Sequence, residues 1–329
     1  MVNIPSKIKI ANLPTKIEKL ERLSKKLGGP SIFIKRDDQT GIEFSGNKVR
    51  KLEFAVKEAM DQGCNLLITC GGIQSNHARA TAAVAAKVGM ASCLVLRTNK
   101  EEEIDGNYFL DKILGAKIKF ITPKEYKESR MEIMEELKQE LSKEGYKPYI
   151  IPEGASNGIG TFGYFNAMEE IIEQEKEMGI KFDAVVIAVG SGGTYGGLFL
   201  GNKVMNNGAK IYGVNACENE EYFKNQIDKV IKESLDYIDE VVEFTKDEIN
   251  ILDGYVGRGY ALSRPEEIEF IHEIAKLEGI ILDPVYTGKA MYGLANEIKK
   301  GSFKNHNNIL FIHTGGLYGL FSKKDLFSF

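Results

Sequence analysis

The chain has 329 residues, of which 43% are hydrophobic and 27% charged. That is an ordinary globular balance, enough for one large domain or two of usual size. A net charge of -4 leaves no basic footprint for nucleic acid, and no run of about 18 apolar residues offers a membrane span. In chain order, residues 32–35 read as a short strand before Arg36-Asp37-Asp38, and 47–62 as a helix that Asn47 can cap. Residues 65–70 are a strand, 77–88 an alanine-rich helix and 92–96 a strand. The alternation continues through 108–114, 117–121 and 124–144, the last amphipathic but mostly a solvated face. After 149–151 comes a glycine-rich crossing point, Gly154 to Gly158, and then a helix over 162–178. Residues 184–189 form a buried-type strand, 194–205 a helix and 210–215 a strand. The acidic stretch 219–253 is expected to be helical, as are 265–277, with Pro265 in its first turn, and 288–299. A last strand, 309–313, precedes Thr314-Gly315-Gly316.

Strands alternating with helices predict an α/β fold with parallel-type sheets flanked by helices. The glycine-rich crossing points suggest two domains, a larger one from 1–51 and 161–329 and a smaller inserted one from 52–160. The cysteines Cys64, Cys70, Cys93 and Cys217 form no CxxC pair and read as reduced, mostly buried side chains. The four histidines lack metal-ligand spacing, and His272-Glu273 has no second histidine four residues on, so no metal site is expected. The segment around Pro5 has no apolar core of signal-peptide length. A cytoplasmic protein is expected.

Lys48 and Lys51, three residues apart at a helix start, share one face. One can form an imine while the other neutralises a phosphate, and a neighbouring cation favours the neutral, nucleophilic amine. Alone, the pair also reads as two solvated lysines. Asn47 can bind a cofactor hydroxyl or cap the helix. Gly190-Ser191-Gly192-Gly193-Thr194 turns from an apolar strand into a helix. Backbone N–H groups and the helix dipole there favour an anion, although a tight structural turn fits as well. No Lys-Ser/Thr pair follows, so the loop is not a Walker A motif. Gly71 to His77 repeats the pattern, and its Ser75-Asn76 start suits a carboxylate or proton transfer, although an ordinary capped helix entry fits as well. His77 reads as an orienting or packing residue rather than a base. The stretches 283–289, with Tyr286 and Thr287, and 254–260, with Tyr260, are either pocket linings or ordinary loops.

Together these segments resemble the pyridoxal phosphate (PLP) enzyme family that contains D-cysteine desulfhydrase and 1-aminocyclopropane-1-carboxylate (ACC) deaminase. The resemblance runs nearly end to end. It rests on Lys35 to Asp38, Gly46 to Glu53, Gly72 to His77, Gly190 to Thr194, Asp283 to Lys289 and Thr314 to Gly316. It implies a tryptophan-synthase-β-like architecture (fold type II), with the cofactor between two domains and a homodimer as the assembly. Residue by residue, it implies Lys48 as the Schiff-base lysine and Asn47 as partner of the ring hydroxyl. Lys51 would meet the phosphate, with Ser191, Gly192, Gly193 and Thr194 forming its loop. Ser75, Asn76 and His77 would meet the substrate, Ser75 close enough for proton transfer. Tyr260 and Tyr286 would be active-site tyrosines.

Thr287 departs from the pattern, since ACC deaminases look to carry glutamate there, facing the pyridine nitrogen. A neutral hydroxyl makes the ring a weaker electron sink, sufficient to expel a good β-leaving group such as thiolate. Leu317-Tyr318 is also bulkier than the family's usual residues and bears on the pocket's far wall. The sequence is thus read as a PLP-dependent lyase that converts D-cysteine to pyruvate, hydrogen sulfide and ammonia. ACC and L-cysteate are the alternative substrates on the same fold. A non-catalytic PLP-fold protein would lack Lys48, and a nicotinamide-binding Rossmann enzyme would need GxGxxG after its first strand, where Arg36-Asp37-Asp38 stands.

Overall fold

A computed structural model describes residues 3–99 and 103–328. In chain order its strands are β1 (Ile17–Lys19), β2 (Ser31–Lys35), β3 (Leu66–Gly72), β4 (Ala91–Arg97), β5 (Lys117–Ile121), β6 (Pro148–Ile150), β7 (Ala184–Val189), β8 (Lys210–Asn215), β9 (Asn250–Leu252) and β10 (Asn308–Ile312). Its helices are α1 (Glu21–Leu27), α2 (Lys48–Asp61), α3 (Asn76–Lys87), α4 (Gly106–Ile113), α5 (Pro123–Lys143), α6 (Gly158–Met178), α7 (Gly193–Val204), α8 (Glu220–Leu235), α9 (Pro265–Glu278), α10 (Thr287–Lys299) and α11 (Leu317–Phe321).

The strands fall into two sheets. The larger has the order β1-β2-β10-β7-β8-β9 and the smaller β5-β4-β3-β6. Every neighbouring pair is parallel except β1 with β2. Helices cover both faces of a parallel sheet, so its central strands carry unbroken apolar runs. β7, Ala-Val-Val-Ile-Ala-Val, is buried at all of its positions. The smaller sheet draws its strands from residues 66–150. Helix α2 is continuous across position 51 and packs against both α3 and α6.

Two expectations need correction. The acidic stretch 219–253 is helical only through Leu235. It ends in β9, which extends the larger sheet beside β8. That strand is three residues long and too short to show a period. β1 and α1 were not foreseen, and β1 is antiparallel, so the larger sheet is not purely parallel. No helix among the described residues is long and apolar enough to cross a membrane.

The segment Lys35-Arg36-Asp37-Asp38 supplies part of a buried charge network. Arg50 Nε and Nη2 donate to the two Asp37 carboxylate oxygens at 2.9 Å each, and Tyr164 donates to Asp37 at 2.5 Å. Lys35 pairs with Glu170 at 2.6 Å, and Arg50 Nη1 reaches the same carboxylate at 2.9 Å. Burial alone would raise the Asp37 carboxyl, but Arg50 and Lys35 hold it below its ordinary value. The network locks α2 to β2 and α6, and so fixes the helix whose first residue is Lys48.

Candidate active site

The carboxyl ends of β3 and β7 face a common cavity, the usual place for a ligand in parallel α/β sheets. Its empty volume, with the solvent at its opening, is about 730 Å3. Lys48, Asn47, Ser75, Asn76, His77, Ser191, Gly192, Thr194, Tyr260 and Tyr286 all line it. Sequence positions up to 239 residues apart thus meet around one space.

Lys48 is the first residue of α2. The loop before it is held by Thr40, which accepts from the Gly46 amide and donates to its carbonyl, both at 2.9 Å. The Asn47 amide donates to the Thr314 carbonyl at 3.1 Å. Lys48 Nζ has no hydrogen bond or ion pair among the described residues. Burial pushes its pKa down to about 8, against the fields of Glu153 and Asp283. Asn47 does not cap the helix with its side chain. Its Nδ2 donates to Thr194 Oγ1 at 2.9 Å, tying α2 to the start of α7.

Lys51 is fully buried and does not line the cavity directly. Its Nζ donates to Ser156 Oγ at 3.2 Å. The Gly193 amide donates to the same oxygen at 3.1 Å, and the Ser191 and Ser156 hydroxyls are 2.7 Å apart. Gly192 holds φ at +90°, a conformation that suits glycine. Burial, and then the Lys48 charge, holds Lys51 well below its ordinary value. A buried amine with a hydroxyl partner, beside the N-terminus of α7, is a site that an anion would complete. These residues fit the phosphate of PLP. Lys51, Ser156, Ser191 and Gly193 would hold it, and Lys48 has the free amine an imine requires.

On the facing wall, Ser75 caps α3 by accepting from the Ala78 amide at 3.1 Å. Asn76 Oδ1 accepts from Asn107 Nδ2 at 2.9 Å, and Asn107 Oδ1 accepts from Arg79 Nε at 3.1 Å. That chain leaves the Asn76 Nδ2 group as the free donor. Thr69 gives its proton to the Ile151 carbonyl at 2.7 Å, so it accepts from His77 Nε2 at 2.8 Å. His77 Nδ1 is buried and makes no hydrogen bond within range among the described residues. Burial and the nearby Lys48 and Lys51 charges keep the ring neutral, well below its ordinary pKa.

The Tyr260 and Tyr286 hydroxyls are 2.6 Å apart. Burial pushes the Tyr260 phenol up to about 12, against a hydrogen bond from Tyr286. Tyr286 packs on Gly190, where a Cβ would stand 2.8 Å from its Cε1. Thr287 is fully buried and does not line the cavity. Its hydroxyl donates to Asp283 Oδ1 at 2.7 Å and accepts from the Asp283 amide at 2.8 Å. Leu317 and Tyr318 also lie off the cavity wall, and the Tyr318 hydroxyl donates to the Ile42 carbonyl at 3.0 Å.

Sequence reasoning missed Ser156, Glu153 and Asp283 as members of the site. Ser156 lies in the crossing point Gly154 to Gly158, where a serine among glycines before a helix is the same signal as Ser191. Asp283 opens a recognised stretch, but its side chain turns back onto the α10 N-terminus, accepting from the amides of Val285, Tyr286 and Thr287.

Fold and cavity define a PLP-binding α/β enzyme. A family model described as pyridoxal-phosphate dependent enzyme matches residues 8–315, and the chain belongs to that family. It is 43% identical to a putative ACC deaminase of Thermotoga maritima, over 96% of this chain and 98% of that protein. It is 44% identical to the mitochondrial bifunctional D-cysteine desulfhydrase/ACC deaminase of Arabidopsis thaliana, over 96% of this chain and 79% of that one. A crystal structure described as an ACC deaminase homologue superposes with a TM-score of 0.88 at 38% identity, covering 98% of this chain and 95% of the other. The fold is that of fold type II, and the cofactor is PLP.

Proposed function

We propose that the chain catalyses β-elimination on a small amino acid, with D-cysteine as the first substrate, releasing pyruvate, hydrogen sulfide and ammonia. The observation that carries the reading is the partnerless Lys48 amine, pushed down to about 8 beside an anion cradle that includes Lys51. PLP supplies an electron sink for the pair left at Cα when its proton is removed. The Lys48 amine takes that proton. Its lowered pKa keeps a useful neutral fraction near neutral pH and leaves it basic enough to accept.

Ser75, Asn76 Nδ2 and the amides at the start of α3 hold the substrate carboxylate, where the helix dipole favours negative charge. Ser75 is the second candidate for moving a proton. The Tyr260–Tyr286 hydroxyl pair covers the opposite side and can donate to a leaving thiolate. His77, neutral and committed to Thr69, orients the wall. The roles of Asn47 toward the ring hydroxyl and of Thr287 toward the ring belong to the same proposal. So do the division into 1–51 with 161–329 and 52–160, cytoplasmic residence and a homodimer.

Elimination is favoured over ring opening by the neutral Thr287 side chain. ACC deamination is kept as the second reading by one observation: the Asp283 carboxylate lies 2.7 Å behind that hydroxyl. The test is pyruvate release by PLP-loaded protein from D-cysteine, L-cysteine, L-cysteate and ACC, with Lys48→Ala as control. Turnover of D-cysteine that the control lacks upholds the proposal. Turnover of ACC alone replaces it with the second reading, and an active Lys48→Ala variant removes Lys48 from its role.

A further inference from the structure

Arg97 is the last residue of β4 and sits beside Gly72, its register partner at the end of β3. Gly72 lines the cavity. A Cβ built on Gly72 would stand 3.7 Å from Arg97 Nη2, with no other atom as near. Arg97 does not itself line the cavity, but the missing side chain at Gly72 puts no Cβ between its guanidinium and that lining residue. Its plane is held by two rings, with the Arg97 carbon 4.8 Å from the Tyr126 centroid and 5.5 Å from that of Tyr260. Tyr260 is itself a cavity wall.

Arg97 makes no ion pair and no hydrogen bond among the described residues, so its five N–H donors face no acceptor there. The carboxylate on the same wall, Glu153, has its own cation, Arg130, at 4.0 Å. Lys289 is spent on the carbonyls of Val256, Gly259 and Leu262. Among the described residues Arg97 is therefore a positive charge with no acidic partner, beside the cavity-lining residues Gly72 and Tyr260. A planar guanidinium presents paired donors that match a sulfonate or carboxylate.

We propose that Arg97 is a specificity-determining residue that receives an anionic group at the far end of the substrate. Beside D-cysteine, the site then also takes β-substituted alanines whose substituent ends in a sulfonate or second carboxylate. This deepens the lyase reading above and rests on it.

The test compares two unreactive probes on PLP-loaded enzyme by titration calorimetry. One is 3-sulfopropanoate. The other is 3-(methylsulfonyl)propanoate, of the same shape with an uncharged end. Wild type should prefer the sulfonate at least tenfold, the preference should fall with salt, Arg97→Gln should bring the ratio near one, and Arg97→Lys should keep part of it. Equal binding of both probes by wild type overturns the proposal, as does a ratio that Arg97→Gln leaves unmoved. If Arg97→Gln does not fold, the wild-type ratio and Arg97→Lys still decide. In turnover, Arg97→Gln should raise KM for L-cysteate with kcat held, whereas an equal fall in kcat for every substrate would make Arg97 a support for Tyr260 and overturn it. Absence of pyruvate from every amino acid would remove the lyase reading and leave the probe ratio as a separate result.

Discussion

Thr287 and Asp283 form a closed pair. The hydroxyl donates to Oδ1 at 2.7 Å and accepts from the Asp283 amide at 2.8 Å, and the same carboxylate accepts the amides of residues 285–287. The proton of Thr287 is therefore committed. Toward any other group the side chain can only accept. Asp283 also shapes the turn that presents Tyr286 to the cavity, so one buried carboxylate serves both the helix start and the site wall.

This pair decides what a glutamate at position 287 would meet. Thr287→Glu sets a second carboxylate against buried Asp283, where two like charges cannot both be ionised cheaply. Thr287→Glu alone should lose about 3 kcal/mol of stability, and Asp283→Asn added to it should recover at least half. Urea denaturation of the two variants measures this. Equal stability of the single and double variants would show that the carboxylates do not interact. If position 287 selects the reaction, the double variant should also gain ACC turnover relative to wild type.

A second prediction concerns Lys48 without cofactor. Its pKa falls from 10.5 to about 8 in the folded protein, so between those values the unfolded chain binds more protons. Stability of the cofactor-free protein should rise with pH across that window, and below about 8 the full cost is present, roughly 3 kcal/mol. Lys48→Met should raise stability at pH 7 by about 2 kcal/mol and flatten the rise. Chemical denaturation from pH 7 to 10 decides, and a less stable Lys48→Met would contradict the cause given for the shift.

Much of this was readable in the chain. β7 stands where its unbroken apolar run places it, because a strand buried on both faces must be continuously apolar, while β5 and β8 also have their predicted bounds although β5 is a half-exposed edge strand. Lys48 and Lys51 were legible as a pair, since three residues on a helix is one face. The spacing alone leaves open which of them forms the imine, and only the resemblance assigns that role to Lys48. Arg50, between them, points to Asp37, and only the packing of α6 shows why that charge is buried. Ser156 was hidden because a loop serine has no period, and its partner Lys51 is 105 residues away. Thr287 was read as facing the ring, and nothing in a single sequence reveals that the aspartate four positions earlier holds its proton.

The anion cradle yields a third prediction. Lys51 is buried with no carboxylate partner among the described residues, so an anion should stabilise the cofactor-free protein by mass action. Inorganic phosphate should raise its Tm, and Lys51→Met should abolish that rise. A charge-assisted hydrogen bond contributes about 1.5–3 kcal/mol, so Lys51→Met should weaken PLP binding about 10- to 100-fold. Ser156→Ala should cost less, since a neutral hydroxyl is lost. A Tm rise that survives Lys51→Met would place the phosphate elsewhere.

The last prediction tests the frame that carries Lys48. Arg50 and Lys35 face Asp37 and Glu170 in a network of two cations and two carboxylates, with Tyr164 and Thr15 closing it. Removing one carboxylate leaves a buried cation without compensation, which typically costs about 3–5 kcal/mol. Asp37→Asn should fall in that range. The folded-state pKa of Asp37 is depressed, so its contribution is present above the unfolded value and is lost as pH falls through the folded one. The wild type–variant gap measured by urea at pH 7 should therefore shrink in acid, below about pH 4. A gap independent of pH would mean that shape, not charge, holds α2 in place. Because Asp37 touches Arg50 and not the cavity, Asp37→Asn that remains folded at 25 °C should keep its KM and lose less than tenfold in kcat. A large loss in kcat from folded protein would show that the network sets the position of the Lys48 amine as well as the stability of its helix.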